Sequence, residues 1–283
     1  MRAHDVVVLA RRGAVAETIA RGGIEVDDAG VVQRVAVRAT TDAGAFADRD
    51  AVIVAVKSYA TAAALAPLRG VLPPRALVAT VQNGIDNAGA VRAALPGARA
   101  IAGSTTQGAV LLGDGRVRTV NRGRTTFARD DAATPTSDDL AAAFVEAGLD
   151  ARVADDVGLL LWRKLVIVAA INPLGALTGS TNGAVASDAD LVPLARALAA
   201  EAAAVARAEG VDPGDAWAAV EAAARATAAN RNSMLQDLDA GRPTEIDAIS
   251  GAILRRARTY GLAVPVTETI LRLVRARERT AAR

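Results

Sequence analysis

The chain of 283 residues has no cysteine and a single histidine, His4. Without thiols there are no disulfides, no thiol nucleophile and no cysteine-ligated zinc or iron, and one histidine excludes a multi-histidine metal site. No metal is expected. Any enzymatic proton transfer therefore falls to lysine, tyrosine or a carboxylate. Aromatic residues make up only 2%, too few for the stacking platforms that single-strand nucleic-acid binders use. An excess charge of one sign is also missing: 33 Lys and Arg face 31 Asp and Glu, for a net charge of +2. The pI near 9.5 reflects arginine on a nearly balanced chain, so neither nucleic acid nor a membrane surface is an expected partner.

No secretory signal is read at the N-terminus, because the apolar run at residues 6–10 stops at Arg11 and Arg12. The longest uncharged stretch, 165–187, has the length of a membrane span. It holds Asn172, Pro173, Gly175, Gly179, Asn182 and Gly183, so its apolar part is too short to cross a bilayer and reads as a buried helix followed by a loop. A soluble, cytoplasmic protein is expected. What is present in quantity is apolar residue, 52% of the chain with a mean hydropathy of +0.24, enough for a sizeable core and too much for global disorder.

The first half carries short runs rich in β-branched residues at 5–10, 51–56 and 76–81, with a weaker one at 100–102. Helix-like pieces at 15–21, 60–65 and 88–94 alternate with them. Unbroken apolar strands alternating with helices imply a parallel sheet covered on both faces. Residues 116–120 and 125–128, separated by a glycine, read as an antiparallel hairpin. From about residue 155 long helical periods take over, at 159–177, 190–209, 215–229, 244–260 and 267–278, punctuated by Pro213, Pro243 and Pro265. The expected architecture is an α/β dinucleotide-binding (Rossmann-type) domain at 1–154 followed by an all-α domain at 155–283, with the boundary between roughly 145 and 156. The alanine-rich helix at 191–208 suits either the core or a homodimer partner.

Only two of the 33 cations are lysine, Lys57 and Lys164. Arginine holds its proton at neutral pH, whereas a buried lysine can be tuned into the working range. Two readings stand: a compositional remainder, or lysines kept for their chemistry. Lys57 follows the run 51–56, at the carboxyl end of a strand, where α/β sheets bind ligands. Lys164, Val168 and Asn172 are spaced i, i+4, i+8 and share one stripe of a helix; a site wall and a snorkelling lysine both fit that stripe. Asn83-Gly84, after the run 76–81, is an ordinary turn pair that also lies at a strand's carboxyl end.

Nine segments occur together and in order: Val56-Lys57-Ser58-Tyr59, Gln82-Asn83-Gly84, Gly103-Ser104-Thr105-Thr106, Leu161-Trp162-Arg163-Lys164-Leu165, Ile171-Asn172-Pro173-Leu174, Asn182-Gly183, Ser233-Met234-Leu235-Gln236-Asp237, Thr244-Glu245-Ile246-Asp247 and Gly261-Leu262-Ala263-Val264-Pro265. With them the chain resembles the ketopantoate reductases (2-dehydropantoate 2-reductases) over nearly its whole length. The resemblance implies NADPH-dependent reduction of 2-dehydropantoate to pantoate, on the route to pantothenate and coenzyme A. It implies Lys164 as the catalytic lysine with Glu245 as its carboxylate partner, and Asn83, Asn172, Asn182 and Ser233 as groups holding the small 2-oxo acid. It also implies Arg11, Lys57, Asn83 and Ala109 as cofactor contacts.

The chain departs from the family pattern in two places. The strand and Gly-x-Gly-x-x-Gly loop with which the family begins have no counterpart in these residues, and residues 1–5 resemble the stretch just before the family's second strand. A start site placed roughly twenty-odd residues late, or a true truncation, accounts for this, and the chain as written is expected to bind NADPH poorly. Val168 stands where the family has an asparagine on the same stripe, and a valine side chain can neither donate nor accept a hydrogen bond. Another branched 2-oxo acid is the first alternative, a non-catalytic remnant the second. Because Arg11 and Arg12 follow a strand with no acidic residue directly after it, a cation favours the 2′-phosphate of NADP. In a chain with its N-terminus restored, kcat/KM is expected to be higher with NADPH than with NADH, and equal efficiency would contradict the role given to Arg11.

Overall fold

The computed structural model describes residues 4–281, and its Cα positions group into two compact units. The first comprises residues 1–56, Ala60–Gln82 and Asn87–Val157. The second comprises Gly158–Arg283 together with two short segments, Lys57–Tyr59 and Asn83–Asp86.

In the first unit the elements run β1 (Val7–Leu9), α1 (Gly13–Gly22), β2 (Ile24–Asp28), β3 (Val31–Val35), β4 (Arg38–Thr40), β5 (Ala51–Val54), α2 (Thr61–Leu65), β6 (Leu77–Thr80), α3 (Asn87–Ala94), β7 (Arg99–Thr105), β8 (Gly108–Gly113), β9 (Arg116–Asn121), β10 (Arg124–Ala128), α4 (Ser137–Glu146) and β11 (Asp150–Ala154). The central sheet has the order β11-β10-β7-β6-β5. All its pairings are parallel except β10 with β7, so it is a Rossmann-like mixed sheet. All four residues of β6 are buried, as a central strand covered on both faces requires. Val78 joins Val52, Val54, Leu65, Leu68 and Val91 in one apolar cluster, while Leu77 and Ala79 join Ile101, Phe127, Leu140 and Ala141 in the other. The alternation of side chains along β6 thus stitches the two cores together. Helix α4, on the second core, starts at a capping box: Asp139 N donates to Thr136 Oγ1 (3.2 Å) and Thr136 N to Asp139 Oδ2 (2.8 Å).

Strand β1 pairs only with β4, in a two-stranded parallel sheet. Val7 and Leu9 pack against the same cluster as Val52 and Val54 of β5, and Arg49 Nη1 donates to the Asp5 carboxylate at 2.7 Å. No strand pairing joins β1 to β5 among the described residues. The second edge of β5 is open and Ile53 is exposed. Residues 1–3, part of the stretch that resembles the approach to the family's second strand, lie outside the described residues.

The hairpin expected at 116–120 and 125–128 is a correction. β9 pairs back on β8 through Asp114-Gly115, with Gly115 at φ +73°, whereas β10 crosses to β7 and β11 of the central sheet. Gly123 between them is no hairpin turn. Residues 116–121 form β9, a half-exposed strand within the four-stranded sheet β3-β2-β9-β8, while Thr125, Thr126 and Phe127 are all buried, as a strand inside the covered central sheet requires.

The second unit is helical: α5 (Val157–Thr178), α6 (Asn182–Val185), α7 (Leu191–Ala208), α8 (Ala216–Ala226), α9 (Ser233–Asp239), α10 (Ile246–Thr259) and α11 (Pro265–Ala281). By length and composition α5 is apolar enough to cross a membrane, but half of that window is buried inside the unit. Within the unit it is a core helix. It continues through Pro173 to Thr178, one residue past the end expected at 177. Its apolar residues pack on Ala195, Leu198, Ala199, Ala202 and Val205 of α7 and on Ile246, Ile249 and Ile253 of α10. The alanine stripe of α7 is therefore spent on the core, where small side chains let helices approach closely. Phe127 is fully buried and meets Phe144 edge-on at 5.2 Å between centroids. Phe127→Ala is expected to destabilise the first unit by about 3–5 kcal/mol, read from its urea midpoint.

Candidate active site

Helix α5 carries Lys164 two turns ahead of Asn172, and α10 begins immediately after Glu245. Glu245 is only 7% exposed, so its carboxylate needs donors. It receives two from the short segments that belong to this unit: Ser58 N donates to Oε1 at 2.9 Å and Asn83 Nδ2 to Oε2 at 3.1 Å. The carboxylate also acts on Lys164. Burial pushes the Lys164 ammonium down from 10.5 to about 8, against the Glu245 charge, which holds it up. Desolvation wins, as expected where an ammonium leaves water for a site with a single compensating charge.

The place of Asn83 depends on Gly84. Gly84 sits at φ +106°, and a Cβ there would lie 2.7 Å from the Ala248 carbonyl oxygen of α10. Only glycine adopts that backbone at so close an approach.

Lys57 pairs with Asp237, a carboxylate on α9 that is 2% exposed. Arg242 closes the other side of it, with Nε and Nη2 donating to Oδ1 at 3.1 and 3.0 Å. Next to this cluster, burial and the Asp237 and Glu245 charges raise the pKa of Tyr59, against the Lys57 charge. Asn172 is 7% exposed, and its amide makes no hydrogen bond among the described residues. Neither amide atom is fully enclosed without a partner, so the group reaches accessible space with its hydrogen-bonding capacity unused. Val168, between Lys164 and Asn172 on the stripe, packs on the apolar core.

Lys57, Asn83, Lys164 and Glu245 thus come together around two buried carboxylates. Asn182 lies in a second polar group. Asn182 Nδ2 donates to Thr227 Oγ1 at 2.9 Å and Asn232 Nδ2 approaches Asn182 Oδ1 at 3.5 Å, while Ser233 opens α9 and is exposed. In the first unit, Arg11 follows β1, exposed and with no ion pair among the described residues, and Ala109 is exposed on β8. Among the described residues no group of three or more acidic or histidine side chains is placed to hold a metal ion.

Sequence reasoning missed Asp237 and Arg242. A signal existed: Met234, Leu235, Asp237 and Leu238 form the buried face of α9, and an acid on such a face requires a cation partner.

A Rossmann-like unit followed by a helical unit, with the family and relatives that follow, makes this chain an NADP-dependent oxidoreductase. The chain belongs to the ketopantoate reductase family: residues 2–131 match Ketopantoate reductase PanE/ApbA and residues 156–278 match Ketopantoate reductase PanE/ApbA C terminal. It is 37% identical over 245 residues to a 2-dehydropantoate 2-reductase of Halobacterium salinarum, covering 84% of this chain and 79% of the relative. The crystal structure of a PanE/ApbA family ketopantoate reductase from Ralstonia eutropha JMP134 superposes with a TM-score of 0.90 at 31% identity, over 99% of this chain and 92% of that one. The fold is shared with D-mandelate dehydrogenase in its ternary structure with NADH and anilino(oxo)acetate, at TM-score 0.90 and 22% identity over 98% of this chain and 92% of that one.

The Lys164 pair gives a direct test. The Nζ resonance of Lys164 is expected to titrate near pH 8. In Glu245→Gln the charge that holds the ammonium up is gone, so the midpoint should move lower. A midpoint at the ordinary lysine value, or an upward move in the variant, would contradict the geometry.

Proposed function

We propose that this enzyme reduces 2-dehydropantoate to (R)-pantoate with NADPH, a step of pantothenate and coenzyme A biosynthesis, in the cytoplasm. The observation that carries the reading is Lys164, lowered to about 8 beside Glu245, with the unused amide of Asn172 on its own helix stripe. In this reading the first domain, 1–154, serves the cofactor and the second, 155–283, the substrate, with a homodimer as the assembly to test by light scattering.

The donor set suits one end of NADPH. Arg11, exposed after β1 and with no ion pair among the described residues, can take the 2′-phosphate. No described segment turns from strand to helix on a glycine-rich loop, so no pyrophosphate contact is assigned. When bound, the nicotinamide supplies the hydride.

The chain's own part is binding and proton transfer. Asn83 and Asn172 orient the 2-oxo acid, with Asn182 and Ser233 as further polar contacts, and Lys57, held by Asp237, is the cofactor contact that the family pattern implies. Lys164 enters as the ammonium and hydrogen-bonds the C2 carbonyl oxygen, where negative charge develops as the carbon is reduced. It then gives its proton to that oxygen and leaves as the amine, to be reprotonated from water. A pKa near 8 serves both halves, because the group is charged at neutral pH and releases its proton more readily than an ordinary lysine. Glu245 keeps the ammonium charged in a buried place.

Val168 favours one further reading, another branched 2-oxo acid. It puts an apolar side chain on the stripe between Lys164 and Asn172, where it can neither donate to nor accept from the substrate. Comparing kcat/KM for 2-dehydropantoate with that for other branched 2-oxo acids separates the two. In either case Lys164→Ala should lower kcat by roughly two to four orders of magnitude. Lys164→Arg should rescue poorly, since guanidinium holds its proton. The wild-type rate should fall as pH rises through about 8, where the acid is lost. Near-normal turnover in either variant would make the lysine structural.

A further inference from the structure

We propose that Asp86 is a positioning residue: by pairing with Arg255 and Arg256 it holds Asn83–Asp86 along α10 and so sets Asn83 against Glu245 and Lys164. The four residues meet the helical unit one after another. Asn83 donates to Glu245, Gly84 lies so close to Ala248 that a Cβ would meet its carbonyl oxygen, Ile85 packs on the apolar core, and Asp86 accepts from Arg255 Nη2 at 2.9 Å and Arg256 Nη2 at 2.6 Å. Residues 245, 248, 255 and 256 fall within about a third of the helix circumference at 100° per residue, so the segment runs along a single face of α10.

An exposed ion pair by itself would hold little. This one is anchored on a side chain that is already fixed. Arg256 is only 21% exposed, pairs with Glu209 Oε1 at 3.1 Å and lies 6.0 Å from the Trp162 ring centroid. Trp162 Nε1 in turn donates to Glu209 Oε2 at 2.9 Å, and Trp162 is two residues from Lys164 on α5. The chain of contacts therefore links the Asn83 segment to the helix that bears the lysine. Gly84, at φ +106°, makes an anchor necessary, because a glycine next to Asn83 gives the segment more ways to move than any other residue. Asp86 supplies that anchor on the far side of the glycine, and each of its two carboxylate oxygens engages a different arginine.

The catalytic half of the test rests on the reductase reading; the structural half does not. In the full chain, Asp86→Ala is expected to drop the backbone ¹⁵N order parameters of residues 83–86 from the rigid range near 0.85 to below about 0.6, with those of α7 unchanged. With the 2-oxo acid substrate, kcat/KM should fall about tenfold, chiefly through KM, as a displaced orienting group predicts. Asp86→Ala should cost nothing further in an Asn83→Ala background, since both act through one group. Asp86→Glu should restore part of the loss. Unchanged order parameters, or losses at Asp86 and Asn83 that multiply independently, would overturn the proposal. A wild-type chain inactive on every 2-oxo acid would instead sink the proposed function, and the order parameters would still decide the role of Asp86.

Discussion

The constraint on which the site depends is the burial of the Lys164 ammonium beside the Glu245 carboxylate. Moving the lysine from 10.5 to about 8 corresponds to about 3 kcal/mol of disfavoured charge. The surrounding structure supplies that cost, chiefly through the apolar contacts of α5 with α7 and α10. The carboxylate cannot be spared, because a buried ammonium without it would be driven further toward the neutral amine. Nor can Glu245 stand alone, which is why two segments distant in sequence converge on it. Ser58 brings a backbone donor and Asn83 a side-chain amide, and each fixes one carboxylate oxygen. Gly84 follows from this as well, since any other residue would push Asn83 away from α10.

A second buried carboxylate repeats the logic with a different outcome. Asp237 meets two cations, Lys57 and Arg242, and so is overcompensated where Glu245 is not. Lys57 therefore shares a buried carboxylate with Arg242, whereas Lys164 feels Glu245, whose carboxylate also accepts from the uncharged donors Ser58 N and Asn83 Nδ2. The two buried carboxylates of one unit thus differ in the number of cations around them.

How much of this could be read in advance varies with the range of the interaction. The runs at 51–56 and 76–81 and the long helices were legible because apolar periodicity is local, and the fold class follows from their alternation. Strands β2 and β3 were not. Glu25, Asp27 and Arg34 interrupt any strand-like apolar pattern, and they become strand residues only through pairs such as Arg116 with Glu25 and Arg118 with Asp27 across a gap of 91 positions. Helices α6 and α9, with four and seven residues, are too short to show a period. Lys164 and Lys57 stood out by rarity and Asn83 by its place after a strand. Asp237 did not, because its meaning lies in a lysine 180 positions away.

The arginine bias itself now has a structural content. Arginine makes the ion pairs that fasten this fold, from Arg49 with Asp5 and Arg99 with Asp130 to Arg256 with Asp86 and Glu209. Such pairs need a planar, multidentate donor whose charge never varies. Lysine survives only around the two buried carboxylates of the candidate site. At Lys57 the flexible stem and compact head reach a carboxylate that is 2% exposed. At Lys164 the proposed reaction uses the proton rather than the compact head. A guanidinium at that position would keep its charge against the same burial and the same glutamate, and would therefore give nothing to a developing alkoxide. Where the fold needs a constant charge it uses arginine, and where the proposed chemistry needs a charge that can be handed over, the chain departs from its own composition.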